Sequence, residues 1–111
     1  MTVKKKKISN YYKILEAISS NNIKIVQLLI EYANQYQIIL ELNEKNNIGY
    51  YPLLRAISYN NIEIVQLLIE YALQHQIIFE YDENDIKNKP EIKKLLQNYE
   101  KVIENRKKVN K

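Results

Sequence analysis

The chain repeats itself at an offset of 39 residues. Residues 11–41 and 50–80 superpose without a gap, and 23 of those 31 positions are identical. Asn21-Asn22-Ile23 returns as Asn60-Asn61-Ile62, and the nine-residue run that begins at Ile25 returns whole at Ile64. A fixed period of this size marks a stacked repeat protein. Units of that kind cannot bury their apolar face alone and are stabilised by their neighbours. The repeat therefore argues against a single closed core and for an elongated stack whose surface binds something.

The 111 residues make one domain. There is no cysteine, so disulfides and thiolate metal sites are excluded. The single histidine, His75, cannot form a histidine cluster, and the single glycine, Gly49, cannot make a glycine-rich phosphate loop. No metal or cofactor is expected. Lys, Asn, Ile and Tyr together supply 57 residues, all with AT-rich codons, so an individual Asn or Tyr carries little weight by itself.

Charge is segregated. Residues 8–105 hold 9 basic and 13 acidic side chains, so the formal +4 comes from Lys4–Lys7 and from Arg106, Lys107, Lys108 and Lys111. The body is not a basic nucleic-acid surface. Lys4–Lys7 is followed by no apolar segment of signal-peptide length, and no apolar run approaches membrane-spanning length. The expected location is cytoplasmic or nuclear, without a membrane partner.

Local patterns place helices near 12–19 and 23–35 in the first unit, and near 52–59 and 62–74 in the second. Pro52 suits a first helical turn. Asn21-Asn22 and Asn60-Asn61 suit both the left-handed end of one helix and the N-cap of the next. Ile64, Val65, Leu68 and Ala72 follow helical spacing, and Leu67, Ile69 and Tyr71 widen the stripe, which predicts a helix held between neighbours. Residues 38–42 are β-prone and lead into a projecting loop at 43–49; 77–81 lead likewise into 82–89. From Pro90 the pattern matches the second helix of a unit at an offset of 28, so the C-terminal segment reads as a half-unit lacking its first helix.

Gly49-Tyr50-Tyr51-Pro52-Leu53-Leu54-Arg55-Ala56, then Asn60-Asn61, then Glu63-Ile64-Val65-Gln66-Leu67-Leu68-Ile69 resembles the ankyrin repeat. That family's unit carries Gly-x-Thr-Pro-Leu-His-x-Ala, then Gly-His, then Glu-Val-Val-x-Leu-Leu-Leu. The chain departs from it at Tyr51 and Leu54, where the family has threonine and histidine, and at Asn60, where it has glycine. The period of 39 is also long. A helical solenoid of the HEAT type fits that period too. The Gly-x-x-Pro-Leu-Leu-x-Ala string and the strand-like 38–42 favour ankyrin.

The resemblance implies an all-α solenoid. It consists of a basic tail (1–7), two units (8–46 and 47–85), a capping helix (86–106) and a second basic tail (107–111). It also implies a non-catalytic module that binds a protein, not a small molecule, through loop tips and the exposed face of each first helix. By position the candidates are Asn47, Ile48, Tyr50, Ser58 and Tyr59 in the second unit, and Ile8, Ser9, Tyr11, Ser19 and Ser20 in the first. Tyrosine supplies rigid contact area with a polar tip, and Tyr11, Tyr50 and Tyr59 lead the set. Tyr59 stands where the first unit has Ser20. Ile48 is expected to pack under its own loop and His75 to be a solvated helix-end residue.

No nucleophile–base pair stands out, and the acidic residues recur at equivalent sites (Glu31/Glu70, Glu41/Glu80, Glu44/Glu83), as stacking or surface positions do. Two other readings remain open. The chain can be a structural or oligomerising piece of a longer array, its first helix exposing Tyr12, Ile14, Leu15 and Ile18. Alternatively, the basic tails can bind nucleic acid non-specifically through phosphate contacts.

Overall fold

Two asparagine pairs set the geometry of the stack. A computed structural model describes residues 7–45 and 47–109, with side chains from Lys13 onward. Asn21 and Asn60 adopt left-handed φ values of 55° and 52°. Each ends a first helix, α1 (Lys7–Ser19) or α3 (Pro52–Ser58). The next residue caps the second helix, α2 (Ile23–Gln35) or α4 (Ile62–His75). Asn22 Oδ1 accepts the Lys24 N–H at 3.0 Å, and Asn61 Oδ1 accepts the Ile64 N–H at 3.1 Å. Asparagine serves both roles because its short side chain bonds locally and tolerates the left-handed region. The two corners are also joined, since Asn61 Nδ2 donates to Asn21 Oδ1 at 2.7 Å.

Gln37 and Gln76 are left-handed as well, at φ 56° and 58°. They close α2 and α4 with bonds from Ile38 N–H to Ala33 C=O and from Ile77 N–H to Ala72 C=O, 2.8 Å each. Glycine is the usual residue in this geometry. Gln76→Gly is expected to stabilise the fold by about 0.5–1 kcal/mol, the left-handed cost of a side chain less the extra chain entropy of glycine. A urea midpoint that falls would show that the Gln76 side chain makes a compensating contact.

Past these turns the chain forms no strand among the described residues, so 38–42 is not a β element. After the second such segment comes a four-residue helix, α5 (Glu83–Ile86), and then α6 (Pro90–Val109). The segment 82–89 is therefore not simply a loop, and the first helix of the third unit is shortened, not missing. Asp82 caps α5 by accepting from the Asn84 N–H, and the Asp82 N–H in turn donates to the Asp85 carboxylate, a capping box. A unit boundary at 85/86 cuts this helix. Helix α6 runs three residues past Arg106, so Lys107, Lys108 and Val109 are helical; Lys7 likewise opens α1. Its last turn carries Arg106, Lys107 and Lys108, which complement the C-terminal end of the helix dipole. The rest of the N-terminal tail, 1–6, lies outside the described residues.

The helices form two layers. Helices α1, α3 and α5 pack in one row and α2, α4 and α6 in the other, with α4 held between α2 and α6. The core runs along the seam through Ile14, Ile18, Leu53, Ile57, Ile64, Leu68, Ile92 and Leu96. Ile14, Leu15 and Ile18, expected as an open edge, are buried there. Tyr12 falls among the residues whose side chains are not described.

Candidate interaction site

Helix α3 presents an aromatic–cationic cluster. The Arg55 guanidinium lies 4.1 Å from the centre of the Tyr50 ring and 6.0 Å from that of Tyr59. Tyr50 is set by the turn at Gly49, whose φ of 90° suits glycine. Tyr59 follows the last residue of α3, and its N–H bonds back to the Arg55 carbonyl at 3.2 Å. A cation over two ring faces is attracted by their quadrupoles, and planar guanidinium suits this best. The Arg55 Nε is buried and has no hydrogen-bond partner among the described residues.

Two of the three leading candidates, Tyr50 and Tyr59, are thus brought together. The residue between them, Arg55, was not among the candidates. The signal for it lay in the repeat: Glu16 becomes Arg55 and Ser20 becomes Tyr59, two changes four residues apart on one helical face, in a frame that otherwise hardly varies. Asn47 and Ile48 form the turn at the adjoining loop tip. Ile48 is 74% exposed, so it does not pack under its loop. Ser19, Ser20 and Ser58 are exposed at the ends of α1 and α3. The hydroxyls of Ser20 and Ser58 bond carbonyls of their own helices, those of Ala17 and Arg55, so they are partly committed to closing them. The Tyr11, Ile8 and Ser9 side chains lie outside the described residues.

Beside this face, a cleft of about 550 Å³ separates the 43–49 loop from the start of the third unit. Lys45, Tyr51, Glu80, Asp82 and Asp85 line it. Burial, and then the carboxylates of Asp85, Glu80 and Asp82, push the Tyr51 phenol up to about 12. The Lys45 ammonium lies 5.9 Å from the Tyr51 ring centre. The loop is anchored by Asn43 Nδ2, which donates to the Ile78 carbonyl at 2.7 Å. No group of three His, Asp or Glu side chains is placed to hold a metal ion among the described residues.

The units are joined by a repeated hydrogen-bond device that the sequence did not reveal. The Tyr71 hydroxyl accepts the Leu40 N–H at 3.1 Å and faces the Ile38 carbonyl at 3.4 Å. One unit on, the Tyr99 hydroxyl accepts the Phe79 N–H at 3.2 Å and donates to the Ile77 carbonyl at 2.7 Å. In both cases a tyrosine of a second helix satisfies the backbone of the segment that follows the preceding second helix. His75, expected to be solvated, stacks on Tyr71 at 4.3 Å, and its Nε2 lies 3.0 Å from Asn34 Oδ1 of the first unit.

A two-layered stack of short and long helices, joined by left-handed corners and projecting loops, defines a helical-repeat solenoid. The family model for ankyrin repeats (3 copies) matches residues 4–85. The chain belongs to the ankyrin repeat family. No curated protein and no solved structure matches it. Ankyrin repeats generally mediate protein–protein interaction and are generally not catalytic. No helix among the described residues is long and apolar enough to cross a membrane.

Proposed function

We propose that this chain is a protein-binding module whose recognition patch is the Tyr50–Arg55–Tyr59 face of α3 together with the loop tip at Asn47 and Ile48. Ser58, and Ser19 and Ser20 of the first unit, extend the same surface along the stack. The observation that carries this reading is the Arg55 guanidinium held against two tyrosine rings. Tyrosine and arginine are among the residues most enriched at binding hot spots, and a pre-positioned side chain loses little entropy on binding. An exposed isoleucine, Ile48, at the adjoining loop tip adds apolar area to the patch.

The test is capture from a matched lysate, comparing the wild type with Arg55→Ala/Tyr59→Ala after both are shown to melt alike. A hot-spot cluster loses about 2 kcal/mol or more on truncation. The expected result is one protein retained by the wild type and lost by the variant, at a salt concentration that screens exposed charge. Equal retention by both would remove binding from this face. Steeply salt-dependent capture of nucleic acid by both would assign it to the basic segments instead.

A further inference from the structure

Helices α2 and α4 share the run Ile-Val-Gln-Leu-Leu-Ile-Glu-Tyr-Ala yet stand in different surroundings. In α4, Ile64 and Tyr71 are 0% and 2% exposed; their counterparts in α2, Ile25 and Tyr32, are 43% and 51% exposed. Leu28 and Tyr36 are exposed on the same face. At its α1 side lies a shallow groove of about 330 Å³ lined by Lys13, Glu16, Ala17, Ser20, Ile25 and Leu29. The difference is what lies against each helix. Tyr71 is covered by the segment Ile38-Ile39-Leu40 of the unit before it, and Tyr99 by Ile77-Ile78-Phe79. Tyr32 is the third copy of this tyrosine, and its hydroxyl has no hydrogen-bond partner among the described residues.

We propose that the outer face of the first unit, centred on Ile25, Leu28, Tyr32 and Tyr36, is a docking surface for a further ankyrin-type unit that continues the stack. Such a unit lays the apolar segment that follows its own second helix across α2. Tyr32 then bonds one N–H and one carbonyl of that segment, as Tyr71 and Tyr99 do. The face is already set for this. Tyr32 and Tyr36 stack at 4.7 Å with a 47° tilt, close to the 4.3 Å and 38° of Tyr71 and His75, so the ring pair holds its docked geometry without the partner. A surface that needs no rearrangement loses less on binding.

The occupant is not a second copy of this chain joined by the same device. Both of its Ile-Ile segments are already covered by its own Tyr71 and Tyr99. Residues 1–6 do not contain such a segment either.

The experiment inserts a second copy of residues 8–46 directly after residue 46 of the full chain, which keeps the 39-residue register. The face of the downstream copy then meets the Ile38-Ile39-Leu40 of the upstream one. The extended chain is expected to gain helix in proportion to the added unit and to melt in one transition at least about 5 °C above the parent, since stability in such stacks sums over interfaces. Tyr32→Phe in the downstream copy is expected to lower that midpoint, while Tyr32→Phe in the parent chain leaves it unchanged. An added unit that stays unfolded or leaves the midpoint unmoved would overturn the proposal, as would a downstream Tyr32→Phe without effect. Native mass spectrometry of the parent chain supplies a second reading. A monomer agrees with the proposal; a dimer abolished by Leu28→Lys would give the face to a second copy and sink it.

Discussion

Leu68→Ala is expected to unfold the protein at ordinary temperature. Leu68 lies at the middle of α4, which has a neighbour on each side in its row, and is 0% exposed. Truncating a fully buried leucine loses transfer energy and leaves a cavity, together ~2–5 kcal/mol. A stack of two full units and a shortened third has little stability to spare, because about three units are the usual minimum. The equivalent change in the first unit, Leu29→Ala, removes the same atoms from the same sequence. There the side chain is only half-buried and borders the open groove, so its environment can close or hydrate and the cost is expected to be less than half as large. Urea unfolding of the two variants side by side checks this. Equal losses would mean that Leu29 is as enclosed as Leu68, and would contradict an open face on the first unit.

That contrast also marks how far the sequence is informative. Features decided within a few residues were legible. The asparagine corners, Pro52 at the start of α3 and the span of α2 follow from local backbone chemistry, and the structure has them where the pattern put them. Tyr32 and Tyr71 show the limit, because identical nine-residue windows end up exposed and buried according to their place in the stack. No property of the window distinguishes them. Helix α5 was readable in principle, since Asp82 and Asp85 stand at the spacing of a capping box, but the polar run Asp82-Glu83-Asn84-Asp85 looks like a loop unless that spacing is weighed. Of the candidate site, Tyr50 and Tyr59 could be picked by type and position. Their union through Arg55 could be seen only by asking which substitutions between the units fall on one face.

Tyr99→Phe is expected to cost ~1–3 kcal/mol although it removes a single oxygen, because the Phe79 N–H would then be buried without a partner. Tyr71→Phe is expected to cost a similar amount through the Leu40 N–H, whereas Tyr32→Phe leaves no such orphan. The same hydroxyls make the fold sensitive to alkali. Burial raises the Tyr71 and Tyr99 phenols above the ordinary tyrosine value of 10.0, against a smaller lowering by the Leu40 and Phe79 N–H bonds; Glu100 adds a further rise at Tyr99. Tyr81 is raised too, by burial and by its bond to Glu100. A group whose pKa is higher in the folded state binds more protons there than in the unfolded chain. Its contribution is whole below the unfolded value and is lost as pH rises through the folded one. Wild-type stability is therefore expected to fall once pH exceeds about 10. Tyr99→Phe, lacking one raised phenol, should start lower but decline less steeply. Melting temperatures of both chains measured across that range check the two claims together. A variant as stable as the wild type, with the same alkaline slope, would mean that the Tyr99 hydroxyl does not hold the Phe79 backbone. The coupling of the second and third units would then rest on apolar packing and on the bonds from Arg106 to the Leu73 carbonyl and from Tyr81 to Glu100.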